Sequence, residues 1–323
     1  MVTAKKHYKK TITRTLLDKA RDFFVKNYSE NDTRSAYIRN YKKFIDFCRE
    51  KYSCKTPEEC AEHIGDYLDF LKEKYTSPNT IRTYFSPVVV YHEDTFDNYD
   101  MPKRCAANNT RSRKERAEYR PNSDPDNPKY EKSVSLQRCI GIRRNELLKL
   151  KKNDFTYDES GYFCVVIRRG KGGKYQEQRI MPENVEFVKS FFDGTDDYVI
   201  SREEMKNKID YHAIRAEHAR KTYFYYLDKV NNNPEYRKTL EKEIIARWNR
   251  LNLDKNGKSK HFDKAQITGL HQLEKEEYVE LAQKINMPLE YDNLVAMYTS
   301  IFSLSHWRLD VTFYNYLLAV KSK

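Results

Sequence analysis

Arg143, Lys171, His212, Arg215 and His306 stand in four short segments of a 323-residue chain, with Tyr314 and Tyr316 close behind the last of them. Side chains of these types suit one reaction centre, a phosphodiester under attack. Guanidinium stays charged and grips two phosphate oxygens at once, so two arginines from separate segments can stabilise a crowded phosphorane. Histidine adds a further donor, and lysine can protonate a leaving oxygen. A tyrosine that takes the phosphoryl group into a covalent bond conserves the bond energy, so no metal or nucleotide cofactor is expected.

The spacing within each segment fits such roles. In CIGIRRNELLKL, residues 139–150, Gly141 frees the backbone to turn, Arg143 enters a first helical turn, and Glu146 lies one turn on, able to orient it. RGKGGK at 169–174 is a turn rich in Gly and Lys, without the Gly-x-x-x-x-Gly-Lys-Ser/Thr spacing of a phosphate-binding P-loop. YHAIRAEHAR at 211–220 sets His212 and Arg215 three residues apart, on one helical face. Alone, each segment is equally an ordinary surface ion pair, turn or helix.

Taken in order, the four segments resemble the boxes of the tyrosine recombinase (phage integrase) family, and the run AEHARKTYFYYL looks especially like integrases of mobile genetic elements. Gly141-Ile142-Arg143-Arg144-Asn145-Glu146-Leu147 resembles box I, Gly-Leu-Arg-x-x-Glu-Leu. Arg169-Gly170-Lys171-Gly172 resembles the β-hairpin signature whose lysine reaches the scissile phosphate, which assigns Lys171 as the acid, with Lys174 as the substitute. His212-Ala213-Ile214-Arg215 resembles His-x-Leu-Arg of box II. Leu304-Ser305-His306 resembles Leu-Gly-His, with Ser305 in place of glycine, and Asp310-Val311-Thr312 continues it. The resemblance spans about residues 133–317, and is weaker over the N-terminal helices.

The nucleophile is the one position the family spacing leaves open. Nine residues after the histidine, where the family has its tyrosine, stands Asn315, flanked by Tyr314 and Tyr316. One residue has been added or lost. Asn315-Tyr316-Leu317 is similar to the Asn-Tyr-Ile around the nucleophile of one family member, and Tyr316 lies nine after Trp307, that member's tryptophan-to-tyrosine spacing. Tyr316 is therefore preferred. In a helix the two phenols point about 200° apart, so only one can face the phosphate.

These residues need a scaffold, and the periodicities predict a mainly α protein with a small β-sheet. Residues 1–100 read as amphipathic helices, with Tyr37, Tyr41, Phe44, Ile45 and Cys48 on one face and Ile64, Tyr67, Leu68 and Leu71 on another. Residues 101–130 read as a linker. Between 101 and 120 it holds seven Lys or Arg against two Glu, enough to lie along phosphates or simply to be solvated. Beyond it come helices over 134–140 and 143–151, then a hairpin of YFCVVIRR and YQEQRIMP, then helices again from Asp210. The stretch between Arg215 and His306 is longer than in compact family members, which implies a helical insertion over about 231–285.

Composition narrows the class without deciding it. Lys and Arg number 60 against 48 Asp and Glu, a net charge of +12 that favours polyanionic partners. No membrane span or signal peptide is visible, so a cytoplasmic protein is expected, on the nucleoid if bacterial. The six cysteines form no CxxC pair and read as reduced thiols.

The resemblance implies a helical core-binding domain over 1–100 and an α+β catalytic domain over 131–323, clasping double-stranded DNA. Inverted half-sites would bring two protomers to one site as a homodimer and four to a synapse as a homotetramer, exchanging strands through a Holliday junction. The two rivals are a type IB topoisomerase-like enzyme and a catalytically degenerate DNA-binding protein of the same fold.

Overall fold

The computed structural model describes residues 2–30, 32–103, 123–170 and 173–318. It is mainly helical, with one three-stranded and one two-stranded antiparallel sheet, the class that the sequence predicts. No helix among the described residues is long and apolar enough to cross a membrane. The chain separates into two compact units, Met1–Ser112 and Arg113–Lys323. Most of the basic segment of 101–130 lies outside the described residues.

The first unit contains α1 (Val2–Asn27), α2 (Asp32–Tyr52), α3 (Pro57–Ala61), α4 (Ile64–Lys74) and α5 (Pro78–Tyr91). Its core gathers Phe24 of α1, Tyr41 and Phe44 of α2, Tyr67 and Leu71 of α4 and Phe85 of α5. Each such side chain contributes about 1.5–3 kcal/mol by leaving water. Pro87 sits inside α5 and has no N–H to offer the Thr83 carbonyl one turn back. The buried Asn40 of α2 fills that vacancy, donating from Nδ2 to the Thr83 oxygen at 3.1 Å.

In the second unit, α6 (Glu131–Ile140) ends at Gly141, whose φ of 57° reverses the chain at once. The next helix, α7, is the single turn Arg144–Leu147 and does not run to Lys151 as the apolar spacing suggests. Residues past Leu147 are drawn into pairing with 194–198 instead: Lys151 bridges Tyr198, and Lys152 N donates to the Asp197 carbonyl at 2.9 Å.

The expected hairpin is β2 (Phe163–Ile167) with β3 (Gln176–Arg179), in the register Val165 to Gln178, and β1 (Phe155–Tyr157), which the sequence reading missed, adds a third strand. Lys171 and Gly172, between the two strands in sequence, lie outside the described residues. After α8 (Val185–Lys189), Asp210 caps α9 (Tyr211–Asn232), its carboxylate accepting the His212 and Ala213 amides at 3.1 Å each.

Residues 231–285, expected as a helical insertion, are not all helix. They hold α10 (Pro234–Leu251), the strand β4 (Leu270–Gln272) and α11 (Glu276–Lys284); β4 pairs with β5 (Glu290–Asp292) just beyond. Leu240, Ile244, Phe262, Leu273 and Tyr278 join one core with Tyr223 of α9 and with α12 (Asn293–Phe302). An ionic network fastens this part to the sheet. Arg179 of β3 meets Asp158 at 2.5 Å and also the Glu243 carboxylate of α10, while Arg247 and Arg250 of α10 reach Glu177 at 3.3 and 2.9 Å. The chain then runs through the short α13 (Leu309–Val311) into a π-helical turn, Thr312–Leu317.

Candidate active site

Arg215, on α9, is wholly buried and spends three donors on protein partners. Nη1 donates to the Gly141 carbonyl and Nη2 to that of Leu304, each at 2.6 Å, and Nε donates to the Tyr316 hydroxyl at 3.2 Å. The guanidinium thus ties the turn before Arg143, the turn before His306 and the π-turn to α9. Two of its five N–H donors remain for a ligand. Burial lowers its pKa, as does the neighbouring charge of Arg143, but it stays a cation.

Arg143 is held from below. The Glu146 carboxylate accepts the Arg143 backbone amide at 2.8 Å and its Nη1 at 2.7 Å, so this carboxylate caps α7 and aims the arginine together. The side chain remains partly exposed. Gly141 admits no side chain: a Cβ there would fall 2.2 Å from Cδ2 of His218, which is buried and bonded through Nδ1 to the Arg138 carbonyl at 3.0 Å.

His306 is set in one tautomer by its neighbours. The Arg308 backbone N–H donates to Nδ1 at 3.3 Å, and the Ser300 hydroxyl lies 2.8 Å from the same nitrogen. A nitrogen that accepts a backbone N–H carries no proton of its own, so in the neutral ring the proton sits on Nε2. That N–H is buried and has no partner among the described residues. Burial, then the charges of Arg215, Arg143 and Arg308, push the His306 pKa down to about 3. Beside it Ser305 adopts φ 52°, a conformation suited to glycine, and its own hydroxyl is buried without a partner among the described residues.

Tyr316 is 5% exposed and packs among Ala216, Ala219 and Leu304. Its ring centroid is 5.1 Å from that of His212 and 5.7 Å from that of His306. Its carbonyl accepts from Arg220 at 3.3 Å. Tyr314 points elsewhere, its hydroxyl 3.1 Å from His271 Nε2 and its ring 4.4 Å from that of Tyr278. Five of the six residues singled out in the sequence are therefore described, and Arg143, His212, Arg215, His306 and Tyr316 lie together. The sixth, Lys171, falls outside the described residues.

Two residues that matter here escaped the sequence reading. Gln178 of β3 donates from Nε2 to the Ile140 carbonyl at 2.9 Å and also to that of Ser303, joining the hairpin to the turns before Arg143 and before His306. Ser300, the His306 partner, also accepts from Thr312 at 3.0 Å. A polar residue inside the apolar run NLVAMYTSIF, and a glutamine in a buried strand, were the available signals.

The arrangement can bind an anion and hold a phenol against a guanidinium. No family model matches the chain, and no curated protein does. Among solved structures the chain is similar to the crystal structure of XerA recombinase, at 18% identity over 65% of this chain and 84% of that one, with a TM-score of 0.21. So loose a superposition adds nothing to the contacts themselves.

Proposed function

We propose that the chain is a tyrosine-type site-specific DNA recombinase, the integrase of a mobile element, acting through a 3′-phosphotyrosine intermediate. The observation that carries this reading is the convergence on Arg215 of the Tyr316 phenol, with the unpartnered Nε2–H of His306 and the Arg143 guanidinium near by. In this reading the Tyr316 phenol gives up its proton to water as its oxygen attacks phosphorus, the bond to the 5′-oxygen breaks, and Lys171 supplies that oxygen with its proton. Arg143, Arg215 and His306 stabilise the phosphorane by donating to its oxygens, and His212 packs against the phenol.

The substrate in this reading is double-stranded DNA with inverted half-sites. Residues 1–100 grip it as a core-binding domain, 101–130 form a basic linker and 131–323 the catalytic domain. Two protomers occupy a site and four a synapse, with exchange through a Holliday junction, in the cytoplasm or on the nucleoid.

A nicked suicide substrate cut from the DNA that flanks the gene tests the reading. The expected result is a detergent-resistant adduct whose DNA-linked peptide carries the modification on Tyr316. Tyr316→Phe abolishes the adduct while Tyr314→Phe retains it. An adduct on Tyr314 removes the nucleophile assignment. No adduct at all, with tight specific binding, leaves a DNA-binding protein.

A further inference from the structure

The segment that carries Tyr316 is an unusual one. Leu318 N–H donates to the Phe313 carbonyl at 3.0 Å, five residues back, where an α-helix would close on the fourth. A π-turn therefore encloses one residue more than an α-turn does. That matches the surplus in the sequence, where Tyr316 is ten residues beyond His306 and the family spacing is nine. Relaxed to an α-turn, the chain beyond it would advance by one position, or about 100° around the axis, and carry the phenol off Arg215.

The two residues at the base of that turn are held by the stretch between α9 and α12. The His271 ring, on β4, stacks on Phe313 with centroids 4.1 Å apart and planes 7° from parallel. Its Nε2 meets the Tyr314 hydroxyl at 3.1 Å. Tyr278 of α11 packs on Tyr314 at 4.4 Å, and Tyr291 of β5 on Phe313 at 5.6 Å. One imidazole thus fixes two successive side chains, and with them the rotation of the backbone that leads to Tyr316.

We infer that His271 is a positioning residue for the nucleophile: the β4–β5 ribbon and α11 hold Phe313 and Tyr314 so that the π-turn persists and the Tyr316 phenol faces Arg215. The inference rests on the proposed function for its catalytic consequence, but its structural half can be tested without it.

In the full chain, His271→Ala removes both contacts and His271→Phe keeps the stacking alone. Adduct formation on the nicked suicide DNA is measured with DNA affinity, thermal melting and exchange of the Leu318 amide. The expected result is adduct formation slowed at least tenfold in His271→Ala, partial recovery in His271→Phe, DNA affinity within twofold, and loss of Leu318 protection without global unfolding. A His271→Ala rate within twofold of the parent, or a fall no greater than the unfolded fraction explains, overturns the inference. So does unchanged Leu318 protection. If the parent forms no adduct, the enzyme reading falls on that result, and the Leu318 exchange alone decides whether His271 holds the turn.

Discussion

Burial separates two arginines that the sequence presents as equals. Arg143 is partly exposed, and its removal leaves the Glu146 carboxylate still bonded to the backbone at 143. Arg143→Ala should therefore fold normally and cleave DNA about 10²–10³-fold more slowly, as expected when one set of charge-assisted donors to a transition state is lost. Arg215→Ala instead strands the buried carbonyls of Gly141 and Leu304 and opens a cavity, so a stability loss of about 3 kcal/mol or more should accompany its inactivity. Denaturant titration beside single-turnover cleavage distinguishes the two outcomes. The histidines answer to pH. Burial pushes His218 down to about 4 and His306 to about 3, below their value of about 6.5 in an unfolded chain. Unfolded chains then bind protons that the folded state refuses. Stability is complete above pH 6.5 and falls as pH drops from there towards 4 and then 3, by up to about 1.4 kcal/mol per unit for each histidine. Unfolding free energies at pH 7 and pH 5 check this, and His218→Gln should shallow the slope; a flat profile would count against both buried rings being neutral.

Between residues, the turns decide whether the donors meet. Gly141 combines a positive φ with the His218 ring packed where a Cβ would lie, so Gly141→Ala is expected to destabilise the second unit by about 2–4 kcal/mol and to lose cleavage with it. Calorimetry reads the first effect and the suicide substrate the second. The lysine assignment is tested chemically. Lys171→Ala should be rescued by a 5′-bridging phosphorothiolate, whose sulfur leaves without a proton; rescue of Lys174→Ala instead would move the acid along the turn. Much of this scale was legible in the sequence. Helical spacing identified Tyr41, Phe44, Ile45, Cys48, Ile64, Tyr67, Leu68 and Leu71, all buried in the first unit, and Tyr37, which packs partly buried against the same core; the β2–β3 hairpin showed in its β-branched run and its glycines. What escaped was long-range. The short β1 depends on pairing with β2, β4 and β5 are three-residue strands that exist only through each other, and α7 stops early because 151–152 pair with 194–198. The packing of His271, Tyr278 and Tyr291 on the π-turn is contact between segments, and no local propensity encodes it.

At the scale of the whole chain, the proposed function and the charge of +12 together predict how it would meet DNA. Each phosphate neutralised by Lys or Arg releases condensed counterions, so DNA affinity should fall steeply and linearly on a log–log plot against salt. Replacing Arg111, Arg113, Lys114 and Arg116 together by glutamine should reduce that slope by up to about 4 if all four meet phosphate. An unchanged slope would mean that these charges stay in solvent. Ser305 bears on the stability of the molecule as a whole. Its φ of 52° and its unpartnered hydroxyl both oppose folding, and both vanish in glycine, although glycine also gains freedom in the unfolded chain. Ser305→Gly should on balance raise stability by about 1 kcal/mol and the melting temperature by a few degrees. The folded chain thus holds an unspent reserve one residue from His306, where tightening the backbone would trade mobility beside the candidate site for resistance to heat.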